Sequence, residues 1–218
     1  MTDGLIVAEM DEIEDLLKAY SLDRVQLASI FRFYGLLKAG NEVQNLTKLI
    51  SPRDFALGHV VDCVELERSG LLGSVCMDLG SGCGVPGLLS AAIFGTRKWI
   101  LSESETHKAD FLRVTTEQMG LTDRVSVWSG RGEEYLRESS VDTVVSRAVG
   151  TVEKILAWIF PCSTWNNLVL LKGPGWSTES AGLSLSSYRK KVVARVVVEY
   201  RVPDFRDSCV IVDVKRAK

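Results

Sequence analysis

Residues 78–87 read Asp-Leu-Gly-Ser-Gly-Cys-Gly-Val-Pro-Gly, a spacing suited to gripping a ligand with backbone atoms. Gly80, Gly82 and Gly84 alternate, so the chain can bend sharply and press its main chain against a ligand with no Cβ between. Ser81 sits inside this turn. Val75-Cys76-Met77 leads in as a strand, and Pro86 suits the first turn of the helix that leads out. Strand, glycine turn and helix form a nucleotide-type cofactor site in an open α/β sheet. Gly82-x-Gly84-x-x-Gly87 formally matches the dinucleotide fingerprint of a dehydrogenase. Asp78 at the head of the turn argues otherwise: it would repel a pyrophosphate, and it favours S-adenosylmethionine (SAM), which carries a sulfonium and an amino group.

Other residues fall where such a site needs them. Glu103 ends the second strand, 19 residues after Gly84, where a carboxylate can accept both ribose hydroxyls of an adenosine. Glu105 is its rival, and either acid, or Ser104, could simply cap the following helix. Gly132 and Glu133 follow the third strand, where backbone groups can hold adenine. Ser146-Arg147-Ala148 ends the fourth strand, and Lys172-Gly173-Pro174-Gly175 ends the fifth. A lysine before a glycine-rich loop can grip a phosphate, although Pro-Gly is also a plain turn signal.

What is missing narrows the acceptor. The chain has no Asn/Asp-Pro-Pro-aromatic turn after strand four, as transfer to an exocyclic amine usually requires. Pro161-Cys162 lies beyond the next helix and reads as a turn rather than a nucleophile. A ring nitrogen, an oxygen or a small molecule remains. Guanine N7 fits, because its in-plane lone pair carries no proton and needs no base. The forked guanidinium of Arg147 matches a guanine O6/N7 edge or a nearby phosphate, and equally a plain salt bridge.

The elements that must position these residues can be read from periodicity. Helices are expected over 9–20, 23–40 (stopped by Gly40-Asn41) and 51–68, the last capped by Ser51 with Pro52 in its first turn. Strands at 74–79, 98–103, 124–128, 141–147 and 167–172 then alternate with helices at 86–95, 106–119, 132–138, 151–160 and 177–189. Two β-rich runs, 191–201 and 208–215, close the chain as a hairpin adding an antiparallel edge strand. This predicts a mostly parallel α/β sheet with helices on both faces. Residues 1–70 are expected as an N-terminal helical extension, and 71–218 as a SAM-dependent methyltransferase domain.

The 218 residues are 46% hydrophobic and 25% charged, with a formal net charge of −2. No apolar run reaches membrane-spanning length, and no signal peptide is evident, so a cytoplasmic protein is expected. Five scattered cysteines and two histidines give no disulfide framework and no metal site. The charge does not announce a nucleic-acid binder, so an RNA partner would have to meet a local basic patch. Arg189-Lys190-Lys191, Arg195, Arg201, Arg206, Lys215, Arg216 and Lys218 form the candidate cluster, or else ordinary solvated faces.

Taken in order, these motifs resemble the ribosomal RNA small subunit methyltransferase G family, also called glucose-inhibited division protein B. The likeness runs from Asn45-Leu46-Thr47 and His59-Val60-Val61-Asp62 through the glycine turn and Glu103-Ser104 with Lys108. It continues through Arg131-Gly132-Glu133-Glu134 to Ser146-Arg147-Ala148, Leu171-Lys172-Gly173 and Arg206. The last two short motifs are the more specific. Glu103 stands for a usual Asp, Cys83 for a commoner Ala or Phe, and His107-Lys108 for a basic pair; segment 174–190 is poorly matched. The resemblance implies a class I SAM-dependent methyltransferase fold with a seven-stranded sheet. It implies methylation of guanosine N7 in the decoding-region 530 loop of 16S ribosomal RNA. It also implies SAM as cofactor, the small ribosomal subunit as partner, no metal, no membrane and a monomer. The implied cofactor contacts are Asp78, Gly80, Ser81, Gly82, Gly84, Pro86, Glu103, Gly132, Glu133 and Arg147. Arg147 and Lys172 are implied in catalysis, and Arg131, Arg147, Lys172 and Arg206 as the RNA face. A small-molecule methyltransferase on the same fold and a SAM-binding ribosome assembly factor with little turnover are the competing readings.

Overall fold

A computed structural model describes residues 2–217, with side chains from Val7 onward. Helix α1 (Thr2–Leu17) runs into a tight turn at Lys18–Tyr20. Helix α2 (Arg24–Gln44) starts at a capping box: the Asp23 carboxylate accepts from Val25 N and Gln26 N, and Gln26 Oε1 accepts from Asp23 N. Gly40-Asn41 does not stop it. Gly40 lies against the Phe111 ring, where a Cβ would come within 2.5 Å of Cε2, so this glycine serves close helix packing. The helix ends at Gln44, four residues after Gly40, and its cap Asn45 has a left-handed φ of 49°.

Ser51 caps α3 (Pro52–Phe55) by accepting from Asp54 N at 3.1 Å. The same helix continues through a π-helical turn, Ala56–Val60, into α4 (Val61–Arg68). There Val61 N–H donates to Ala56 O, five residues back.

The sheet follows: β1 (Val75–Leu79), β2 (Lys98–Glu103), β3 (Val125–Ser129), β4 (Val141–Arg147), β5 (Trp165–Lys172), β6 (Val192–Val202) and β7 (Arg206–Arg216). Between them lie α5 (Gly87–Phe94), α6 (Thr106–Met119), α7 (Gly132–Glu138), α8 (Val152–Ile159) and α9 (Trp176–Leu185). The strand order is β3-β2-β1-β4-β5-β7-β6, parallel from β3 to β5. The C-terminal hairpin forms, but its antiparallel strand β7 lies inside the sheet, between β5 and β6, and β6 takes the edge. A register shift at Val196/Val198 bulges that edge, which discourages pairing with another chain.

Side chains alternate between the faces, as a pleated strand dictates. Val144, Leu168 and Leu170 join an apolar cluster under α7–α9, whereas Val145, Val169 and Leu171 join one with residues of α1–α6. Ile13, Ile30, Phe33, Leu37 and Phe55, from the helices before residue 71, belong to the second cluster. All five cysteines are free and buried, and burial pushes the Cys63 thiol up to about 12.

Because β7 runs antiparallel, it begins at the edge where the parallel strands end. Arg206, its first residue, therefore comes to the same edge as Arg147 and Lys172. Arg147 and Lys172 end adjacent strands, with Arg147 opposite Leu171.

Candidate active site

Two cavities open at this edge. The smaller, about 90 Å³, is lined by Leu79, Gly80, Ser102, Ser104, Gly130, Arg131, Gly132, Glu133, Val149 and Trp158. It is bordered by the glycine turn, where Gly80, Gly82 and Gly84 have φ of 75°, 55° and 90°. Only glycine adopts this left-handed series without strain. Ser102 O of β2 holds the turn, accepting from Gly80 N at 2.9 Å and Ser81 N at 3.0 Å.

Two carboxylates secure the turn. Glu103 Oε2 accepts from Gly82 N at 2.9 Å, and its Oε1 accepts from Glu105 N at 2.9 Å. Glu105 turns away to Lys108, at 2.6 Å, and leaves α6 without a side-chain cap. Asp78 is buried beneath the turn, where its Oδ2 accepts from Gly87 N at 2.9 Å. Its Oδ1 is buried and unpartnered, and burial pushes the carboxyl up to about 6. A Cβ at Gly87 would lie 2.7 Å from both Asp78 Cβ and Leu101 Cδ2, so only glycine fits. Pro86 stands one residue before α5 as its cap, rather than inside its first turn as the sequence suggested.

The larger cavity, about 580 Å³, is lined by side chains. Arg147, Lys172 and Arg206 meet there with Thr47, His59, Asp62, Tyr200 and Phe205. Asp62 is 1% exposed and holds the group together. Its Oδ1 accepts from Arg206 Nη2 at 2.6 Å and Tyr200 Oη at 2.6 Å, and its Oδ2 accepts from Arg147 Nη1 at 3.1 Å and Arg206 Nη1 at 3.3 Å. Burial alone would raise its pKa, but Arg147, Arg206 and the Tyr200 hydroxyl hold it below the usual carboxylate range. The π turn supplies further acceptors: Gly58 O takes Arg147 Nη1 at 2.8 Å, and Leu57 O takes Arg206 Nη2 at 2.9 Å.

His59 is buried, and desolvation together with Arg147 lowers its pKa to about 3. The neutral ring accepts from Arg147 Nη2 on Nδ1, at 2.9 Å, which assigns its proton to Nε2, 3.4 Å from Thr47 Oγ1. Lys172 Nζ donates to Gly150 O at 2.6 Å and Glu179 Oε2 at 2.8 Å. Ala148, next to Arg147, has a φ of 59°, a strained value for a residue with a Cβ.

These positions amend the sequence reading. Arg147 was expected at both cofactor and RNA, but it lines the larger cavity and not the smaller. Arg131 does not join the other three cations: it lines the smaller cavity, with its side chain 60% exposed. Lys172, the candidate phosphate grip, is already paired with Glu179, and Arg206 shares Asp62 with Arg147. Lys218 lies outside the described residues, and none of the other basic residues of the C-terminal third lines this cavity. Arg216 stacks over Phe160 and Trp165, and Lys191 over Phe160 and Tyr188, by the opposite edge of the sheet.

Sequence reasoning also missed residues. Thr47, His59 and Asp62 lay within quoted motifs but carried no assigned role, and a buried acid facing two arginines is invisible without the fold. Glu179, Tyr200 and Phe205 gave no signal.

A family model described as rRNA small subunit methyltransferase G matches residues 26–205. Two similar proteins bear the name ribosomal RNA small subunit methyltransferase G. One, from Solibacter usitatus, is 30% identical over 190 residues, covering 87% of this chain and 90% of its own. The other, from Rhodopirellula baltica, is 34% identical over 161 residues, covering 73% and 69%. Among solved structures, an O-methyltransferase from Bacillus cereus in complex with SAH aligns with a TM-score of 0.58 at 15% identity, covering 84% of this chain and 90% of that one. The METTL16 methyltransferase domain aligns at 0.56 and 17% identity, covering 87% and 80%. At such identities these two show a shared fold.

Proposed function

The chain belongs to the rRNA small subunit methyltransferase G family, and on that premise we propose that it transfers a methyl group from SAM to N7 of a guanosine in the 530 loop of 16S ribosomal RNA. One observation carries the choice of atom: the two side-chain bases among the described residues of the larger cavity, Asp62 and His59, are already engaged. Asp62 receives two guanidiniums and a phenol, and the accepting nitrogen of His59 receives Arg147. A hydroxyl or amine acceptor would have to give up its proton here to a base already engaged. Guanine N7 has a lone pair and no proton to lose. The work left to the protein is alignment, which can contribute roughly 7–11 kcal/mol.

The smaller cavity, about 90 Å³, would take only part of an adenosyl group, the rest lying along the glycine turn. A Cβ at Gly82 would meet nothing nearer than Gly80 O at 4.0 Å, so a ligand can approach the backbone of the turn closely there, although the Gly80, Ser81 and Gly82 amides already donate to Ser102 O and Glu103. Gly80, Ser81, Gly82, Gly84 and Pro86 would form the turn that holds the amino-acid end. Glu103 would take the ribose hydroxyls with its remaining lone pairs, and Gly132 and Glu133 would border the adenine. The unpartnered Oδ1 of Asp78 offers negative charge beneath the turn. Bound SAM supplies a methyl carbon on a sulfonium. Arg147 would meet the acceptor with the N–H groups that Gly58 O, Asp62 and His59 leave free, Lys172 fixes the Gly150 loop, and Arg131 is an exposed cation at the adenosyl side.

Incubation with labelled SAM and small ribosomal subunits lacking the modification tests this. The expected product carries label on guanine N7, mapped to the 530 loop by mass analysis; label elsewhere, or none, overturns it.

A further inference from the structure

Two carboxylates, Asp62 and Glu179, pair with the cations of the larger cavity. Three cations line the cavity, Arg147, Lys172 and Arg206. Asp62 and Glu179 pair with all three, and His59 is neutral, leaving an excess of one positive charge.

This pairing has two effects with opposite consequences for RNA. It freezes the guanidiniums: Arg206 is held through both terminal nitrogens and Arg147 through three acceptors, so neither can swing to follow a strand. It also halves the field that attracts phosphates irrespective of sequence, since one carboxylate sits between two guanidiniums. Arg147 and Arg206 both line the cavity.

We propose that Asp62 is a positioning and specificity-determining residue: it fixes Arg147 and Arg206 as rigid donor edges and halves the charge by which they would hold any RNA. The proposal rests on the reading that an RNA nucleotide enters this cavity. With one carboxylate between them, the two arginines together should add about 0.7 to the slope of log affinity against log salt on single-stranded RNA, as one free cation does, instead of about 1.4.

The test is binding of polyuridine, a non-target RNA, across a salt series, together with methyl-transfer kinetics on small subunits. The double variant Asp62→Asn/Arg206→Gln removes one charge of each sign and leaves Arg147 unpaired with a carboxylate. It should keep the wild-type salt slope while kcat/KM on subunits falls at least tenfold. Asp62→Asn alone should give tighter polyuridine binding at low salt, a slope steeper by about 0.7, and lower kcat. A slope that drops by about 0.7 in the double variant overturns the proposal. So does a folded Asp62→Asn with wild-type affinity and slope. If Asp62→Asn does not fold, the double variant alone decides. Failure of the N7 reading would show separately, as wild-type protein placing no label on N7.

Discussion

The two cavities lie on one sheet edge but are made of different material. The smaller is a backbone construction: three left-handed glycines, amides held by Ser102 O and Glu103, and strand ends that leave room. The larger is a side-chain construction, in which Asp62, Arg147, Tyr200 and Arg206 converge from opposite ends of the chain. A backbone site depends on the absence of atoms, so it is damaged by adding them. A side-chain site depends on charge pairing, so it is damaged by changing donors while volume is kept.

The largest effect expected from this contrast follows one added methyl group. Gly87→Ala forces a Cβ against Asp78 and Leu101 at 2.7 Å and should cost about 1–3 kcal/mol in urea unfolding, with cofactor binding lost in calorimetry. Gly173→Ala, at the rim of the larger cavity, meets nothing within 4 Å and should stay within about 0.5 kcal/mol of wild type. Equal costs at the two glycines would erase the distinction.

An intermediate effect is expected from Arg147→Lys. Lysine keeps the charge but cannot serve Gly58 O, His59 Nδ1 and Asp62 together. We expect kcat/KM on subunits to fall by roughly 10–100-fold, consistent with about 1.4–2.7 kcal/mol, while calorimetric affinity for the cofactor holds. A parallel loss of cofactor affinity would join the two cavities into one functional unit.

The smallest effect concerns Asp78. Its folded pKa near 6 lies above the unfolded value of about 4. Such a raised carboxyl favours the fold below pH 4, and that contribution disappears as pH rises through 6. Asp78→Asn keeps an acceptor for Gly87 N and removes the buried charge, so it should be more stable than wild type at pH 8 by up to about 2 kcal/mol, and not at pH 4. It should also bind the cofactor less tightly. Urea midpoints at the two pH values check the first, and calorimetry the second. An equal gap at both pH values would remove Asp78 from the titration.

The glycine turn, Glu103 and the strand ends at Arg147 and Lys172 were legible because each is local: a run of about ten residues holds the whole signal. The alternation of β1–β5 with helices was legible for the same reason. The end of α2 was misread because Gly40 carries two meanings, helix stop and close packing, and only the ring of Phe111, 71 residues on, decides between them. The ion pairs of Lys172 and Arg206 were not legible because pairing is set by the fold. Glu179 lies in the poorly matched segment, and Asp62 lies 144 residues from Arg206.

The π turn at Ala56–Val60 amounts to one residue more than an α-helix accommodates. That surplus leaves the carbonyls of Leu57 and Gly58 facing the arginines instead of the next helical turn. It also sets the rotation of His59 and Asp62 about the helix axis. Shortening the segment by a single residue would close the ladder and swing both side chains by about 100°, the angle each residue advances in a helix of 3.6 per turn. The most economical lesion for this arrangement is thus a codon-sized deletion within a well-packed helix, leaving every catalytic letter in place and the constellation dispersed.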